Sequence, residues 1–164
     1  MSMNYHLKNF RLYVPIPSKS CCELKYAVRC PVYSTESVEV IKSSIEVIFF
    51  PLSFEITEIM GTRYLIYTSN DQETLELLRD LIHNLRIIDT VRKRLEQNWN
   101  GTSTFFKFDK QAITVGRFRI LDDSAEDPPL GSILVELFFE EMNRFEIFLK
   151  WFTPPTKGGR IVQN

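Results

Sequence analysis

Apolar and polar residues alternate along this chain with two periods, and the switch between them marks out its elements. Residues Phe10 to Ile16 alternate with period two (Phe10, Leu12, Val14 and Ile16 against Arg11, Tyr13 and Pro15), which predicts an edge strand or extended arm because Pro15 and Pro17 cannot serve a central ladder. Pro17-Ser18-Lys19-Ser20 reads as a linker. Leu24 to Tyr33 is the next predicted strand, with Leu24, Tyr26, Val28 and Cys30 on one face and Lys25 and Arg29 on the other.

The period then lengthens. Val38, Ile41, Ile45 and Ile48 recur at helical spacing, with Ser34 as the expected N-cap, Ser37 and Glu36 near the positive end of the dipole, and Pro51 as the stop. Phe54 to Ile59 and Arg63 to Thr68 predict a hairpin turning at Gly61-Thr62. From Asp71 to Asn100 no Gly or Pro intervenes. Leu75, Leu78, Ile82, Leu85, Ile88, Val91 and Leu95 repeat every three or four residues, which predicts one long helix or two collinear ones with a break near Asn84. Gly101 is the expected stop.

Strands return in the second half, over Thr102 to Phe108, Arg117 to Leu121 and Ser132 to Phe139. A polar loop, Asp122 to Gly131, separates the last two. Asn143 to Phe152 closes the pattern as a helix with a Phe145, Phe148, Leu149, Phe152 stripe, stopped by Pro154-Pro155. Strands and helices mix without strict alternation. The expected fold is therefore α+β, a mainly antiparallel sheet with helices packed on one face. Its organisation is expected to be an N-terminal extended arm over 1–20, a single domain over 21–155 and a flexible tail over 156–164.

Composition changes this picture little. At 164 residues, 44% hydrophobic and 25% charged, the chain is of the size and make-up of one globular domain, and its 13 Phe and 6 Tyr are accounted for chiefly by a ring-filled core. No apolar run approaches the ~20 residues needed to span a bilayer, and no signal peptide is evident, so a cytoplasmic address is expected. Cys21, Cys22 and Cys30 fit that address, with Cys30 as a buried free thiol.

Charge changes it more. Arg79 to Arg119 holds nine Lys/Arg against four acids, whereas Ile120 to Glu146 holds eight acids and Arg144 alone, in a chain of formal net charge −1. A basic block beside an acidic one points to an anionic partner for one surface. In the helix, Arg79, His83, Arg86 and Lys93 share a face if the helix is continuous, with Arg92 beside them. In the strands, alternation sets Thr104, Phe106 and Phe108 against Phe105 and Lys107, and Phe118 and Ile120 against Arg117 and Arg119. If the first of each set faces the core, a ring among cations faces outward, the arrangement by which single-stranded RNA is held through stacking and phosphate contacts. A solvated helix face, or Phe105 lying beneath a helix or in a dimer interface, explains the same pattern.

Catalytic and metal motifs are lacking. His6 and His83 are the only histidines; there is no Cys/His ligand spacing, Walker A loop, G-x-G-x-x-G or G-x-S-x-G. Asp122-Asp123 with Glu126-Asp127 lacks the spacing of a calcium loop and reads as solvated. No catalytic residue, metal or cofactor is assigned.

Several segments, taken in order, resemble a family of small uncharacterised archaeal proteins catalogued as predicted to bind RNA. These are Arg86-Ile87-Ile88-Asp89-Thr90-Val91-Arg92, Lys110-Gln111-Ala112 with Gly116, Pro129-Leu130-Gly131-Ser132-Ile133, and Trp151-Phe152-Thr153-Pro154. The resemblance covers roughly Glu23 to Pro155. It implies an α+β fold similar to the ribosomal protein that binds 5S rRNA, dimers, and a signature surface of Arg86, Asp89, Arg92, Lys110, Gln111 and Gly116. The chain departs from the pattern at His83-Asn84-Leu85, where the family is more basic, and at Ile113.

The expected function is thus non-catalytic RNA binding through Arg79, Arg86, Arg92, Lys93, Phe105, Lys107, Lys110, Arg117 and Arg119. The alternative is an assembly protein whose basic and acidic segments meet across a homodimer or partner interface.

Overall fold

β-Branched and aromatic residues in period-two runs build five strands that form one antiparallel sheet. In the computed structural model, which describes residues 24–49, 53–122 and 128–162, these are β1 (Lys25–Val32), β2 (Glu55–Ile59), β3 (Thr62–Ser69), β4 (Ser103–Asp109) and β5 (Ser132–Phe138). They lie in the order β2-β3-β1-β5-β4, every neighbouring pair antiparallel. The helices are α1 (Val38–Glu46), α2 (Glu76–Asn84), α3 (Ile88–Gln97), α4 (Lys110–Thr114) and α5 (Met142–Phe152), with a 3-10 turn (Gln72–Leu75) before α2. The fold is α+β. The predicted strand over Phe10 to Ile16, the Pro17–Ser20 linker, Cys21, Cys22 and the Pro51 stop lie outside the described residues.

All five helices press on the same side of the sheet. Ile41 and Ile45 of α1, Leu78 and Ile82 of α2, Ile88, Val91 and Leu95 of α3, Ile113 of α4, and Phe145, Phe148 and Phe152 of α5 join Val28, Cys30, Leu65, Phe106, Phe108 and Val135 in one core. At about 25 cal/mol per Å² of apolar surface, burying these side chains is the main stabilising term. Cys30 sits in its centre, completely buried, and burial pushes the thiol up to about 12, with Lys110 offsetting part of the effect. A raised folded-state value means that the proton is held more tightly in the native state. The associated stability is present below the ordinary value near 9 and is lost as pH rises towards 12. Alkylation at pH 8 followed by peptide mapping should therefore leave Cys30 unmodified in the native protein and label it after unfolding.

The long helix breaks at Arg86. The Leu85 amide bonds to the Leu81 carbonyl, Arg86 to His83 and Ile87 to Ile82, with Arg86 at φ 57°. This is the C-terminal motif that favours glycine in the left-handed position, here occupied by arginine. Two expectations are corrected. Ser37, not Ser34, caps α1 by accepting from the Val40 amide, while Glu36 accepts from the Tyr33 amide. The Arg117 to Leu121 strand reduces to a single bridge, Ile120 to Phe108, flanked by bonds from the Asp109 amide to the Arg119 carbonyl and from the Leu121 amide to the Lys107 carbonyl. Those bonds, with the Asn98 side chain donating to the Phe105 carbonyl at 2.9 Å, cover the edge of β4. The motif residues Lys110-Gln111-Ala112 begin a short helix, capped by Asp109.

The stretch read as a tail contains a second, two-strand sheet, β6 (Thr156–Lys157) and β7 (Arg160–Ile161). Gly158 and Gly159 supply the two left-handed turn residues, and the Thr156 hydroxyl donates to both carboxylate oxygens of Asp89 on α3.

Candidate nucleic-acid interface

The side of the sheet away from the core carries no described helix. Cross-strand register sets Glu55, Ile66, Arg29, Leu134 and Lys107 in one row across all five strands. Thr68, Ala27, Glu136 and Phe105 form the next row; Tyr64 pairs with Pro31, and Phe138 with both Lys25 and Ser103. None of Tyr64, Ile66, Phe105, Leu134 and Phe138 belongs to the hydrophobic core or packs against it. Three rings, Tyr64, Phe105 and Phe138, are thus set on an accessible sheet face among Lys25, Arg29 and Lys107.

Local sequence explains the placement. In β4 the alternation buries Thr104, Phe106 and Phe108 almost completely and leaves Phe105 and Lys107 half-buried on the far side. The Lys107 ammonium lies 5.8 Å from the centre of the Phe105 ring. Arg29 pairs with Glu136 at 3.4 Å, and Arg119 with Asp109 at 3.1 Å at the β4 edge. Lys25 and Lys107 form no ion pair among the described residues. They are the less committed cations.

The remaining expected site residues lie elsewhere, and the basic helix and basic strand do not share one surface, because the core and sheet separate them. Arg79 is a structural contact: its Nε donates to the Trp151 carbonyl at 2.8 Å and its guanidinium sits 5.3 Å from the centre of the Trp151 ring. His83 bonds the next carbonyl, that of Phe152, at 2.9 Å. Lys110 is only 1% exposed, its ammonium donating to the Pro31 carbonyl and to Glu36, both at 2.7 Å, and lying over the Tyr33 ring. A buried ion pair of this kind cannot meet a ligand without being broken. Arg86 is on the helical side at the α2–α3 junction, beside Gly159 of the β6–β7 hairpin, and Arg92 and Lys93 lie in the middle of α3. Arg117 lines a cleft in the helical layer.

Sequence reading missed Tyr64, Phe138, Lys25 and Arg29 as partners of Phe105. Lys25 and Arg29 were visible on the polar side of their strand, but only the register brings them beside β4. Two of the acids read as a separate block are also used within the chain, Glu136 by Arg29 and Asp122 by Arg94 at 3.0 Å. Among the described residues no three His, Cys, Asp or Glu gather as a metal site would require, and no helix is long and apolar enough to cross a membrane.

A family model described as RNA binding matches residues 26–137. A UPF0201 protein of Pyrococcus horikoshii is 30% identical over 136 residues, covering 83% of this chain and 94% of the relative. A UPF0201 protein of Thermococcus onnurineus is 29% identical over 138 residues, covering 83% and 96%. Among solved structures, a UPF0201 protein from Methanococcus jannaschii shares the fold with a TM-score of 0.68 at 24% identity, covering 85% of this chain and 99% of that one. Another UPF0201 crystal structure gives 0.64 at 30% identity, over 84% and 99%.

Proposed function

This chain belongs to the RNA-binding family that its residues 26–137 match, and from that premise we propose that it binds single-stranded RNA, without catalysis, on the helix-free face of its sheet. The observation that carries the reading is the placement of Phe105 and Phe138 on neighbouring strands of that face with Lys25 and Lys107, with Tyr64 on the same face three strands from Phe105. An antiparallel sheet presenting two or three rings is a platform on which bases stack, and flanking cations meet the phosphates. The matched span takes in the sheet to within a residue at either end, together with α1 to α4, and stops before α5 and the β6–β7 hairpin, so it supports RNA binding and leaves the choice of surface to the rings and cations.

Electrostatics sets the scale. Arg29 and Arg119 already have carboxylate partners, so swapping these for phosphates gains little. Lys25 and Lys107 supply most of the phosphate term. With about two to four phosphates neutralised, the slope of log affinity against log salt is about −1.4 to −2.8. A likeness to the ribosomal protein that binds 5S rRNA belongs to the same reading and makes 5S rRNA the structured probe to set against a short single strand.

Titrating the protein with a short single-stranded RNA, total RNA and 5S rRNA at low and at physiological salt is the test. Binding should be salt-sensitive with that shallow slope, and Lys107→Glu should weaken it about tenfold. Absence of binding at low salt sinks the proposal. Light scattering on the same samples covers the assembly alternative: a dimer that dissociates in high salt and binds no RNA assigns the charged surfaces to self-association.

A further inference from the structure

The helical layer has an opening of its own, away from the sheet face. A cavity of about 760 Å³ lies between the C-terminal ends of α1 and α2 and the segment after α4. Its floor is the buried Ile48 and Ile113, and its rim includes Val47, 78% exposed, and Leu85, 46% exposed. The Ser43 and Ser44 hydroxyls that reach it are already spent on the Val40 carbonyl. Among the described residues, Arg117 is the only charged one lining it.

The chain holds Arg117 there by a specific device. The Gly116 amide donates to the Ile113 carbonyl and the Arg117 amide to the Ala112 carbonyl, at 2.9 and 2.8 Å, with Gly116 at φ 72°. This is the helix-ending motif again, with glycine now in the left-handed position, and it fixes the backbone of the next residue. Phe118 follows, its ring 5.1 Å from that of buried Phe108, so Arg117 is anchored from both sides. Among the described residues Arg117 forms no ion pair and no acid lines the cavity.

An apolar pocket of several hundred Å³ with one charged residue, exposed Arg117, at its rim has the form of a small-molecule site. A lone guanidinium there supplies a strong, directional bond to a carboxylate or phosphate. We propose that this cleft binds a small amphiphile, an apolar body carrying a single carboxylate or phosphate head, with Arg117 on the head and Val47, Leu81, Leu85 and Phe118 around the body. The site is independent of the RNA surface.

Isothermal titration of the full chain with decanoate and decyl phosphate below their micellar concentrations, and with decanol below its solubility limit, tests this. Amide NMR shifts at Gly116 and Phe118 locate the binding. Decanoate or decyl phosphate should bind saturably and perturb those amides, the two arms showing which head is preferred. Arg117→Gln should weaken the preferred anion about tenfold and leave the weaker binding of decanol unchanged. Val47→Glu, on the exposed rim, should weaken all three. Saturable binding by none of the probes, or equal binding of the anions to Arg117→Gln, overturns the proposal. RNA affinity unchanged in Arg117→Gln keeps a failure here distinct from a failure of the RNA reading.

Discussion

Replacing Glu36 by alanine should cost about 3–5 kcal/mol of folding stability, because it leaves the Lys110 ammonium buried without its counter-charge. Glu36 also accepts from the Tyr33 amide at 2.9 Å, so a second donor loses its partner. Lys110 keeps only the Pro31 carbonyl and the face of Tyr33, and with 1% exposure it has no route to water. A loss of this size lowers the melting temperature by about 10 °C for a domain of this length. The double variant Glu36→Ala with Lys110→Met removes both charges and should recover much of the loss, since an apolar replacement of a buried pair is often near neutral. Thermal melts of the two single variants and the double variant check it; a Glu36→Ala loss below about 1 kcal/mol contradicts it.

Gly131→Ala should be nearly as damaging, at about 2–4 kcal/mol. Gly131 has φ 79°, and a Cβ there would lie 2.7 Å from the Pro31 Cγ atom and 3.4 Å from the Tyr33 hydroxyl. The left-handed backbone alone costs an L-residue about 1–2 kcal/mol, and crowding a ring on the central strand adds about 1–3 kcal/mol. Gly116→Ala separates the two contributions. Its φ is 72°, but the added carbon would meet nothing within 4 Å. Denaturant melts should rank Gly131→Ala well below Gly116→Ala; equal losses would show that the Pro31 contact yields freely.

These two sites explain why the sequence motifs were legible as a family signature and yet misleading as a functional surface. Lys110-Gln111-Ala112 and Pro129-Leu130-Gly131 converge at the end of β1, where Pro31 receives the Lys110 ammonium through its carbonyl and packs its ring on Gly131. Asp89 holds the C-terminal hairpin through Thr156, and Arg86 fills the left-handed corner between α2 and α3. Residues chosen from the sequence for their charge thus serve the fold. Periodicity identified the strands and helices that pack, because burial imposes the period. It could not identify α4, whose five residues are too few to show one, or the hairpin, whose two-residue strands are fixed by Gly158-Gly159 and one hydroxyl. The break between α2 and α3 was legible only as one of two alternatives, near Asn84, because the left-handed position usually signalled by glycine is filled by an arginine, Arg86.

The candidate site was half legible. Alternation placed Phe105 and Lys107 outward together, as the structure has them. The neighbours that turn one ring into a platform come from β1, β3 and β5, and pairing order across a sheet is set by tertiary packing that one sequence does not display. The expectation that helix and strand cations act together was lost for a simple reason: the helices cover the face of the sheet opposite to Phe105.

Ultraviolet cross-linking of the protein to a short single-stranded RNA, followed by mass spectrometry of the linked peptides, tests the central claim most directly. Cross-links are expected at Phe105 on β4, with Tyr64 or Phe138 alongside. Cross-links confined to the α2–α3 junction and the C-terminal hairpin would contradict it and move the RNA to the helical side.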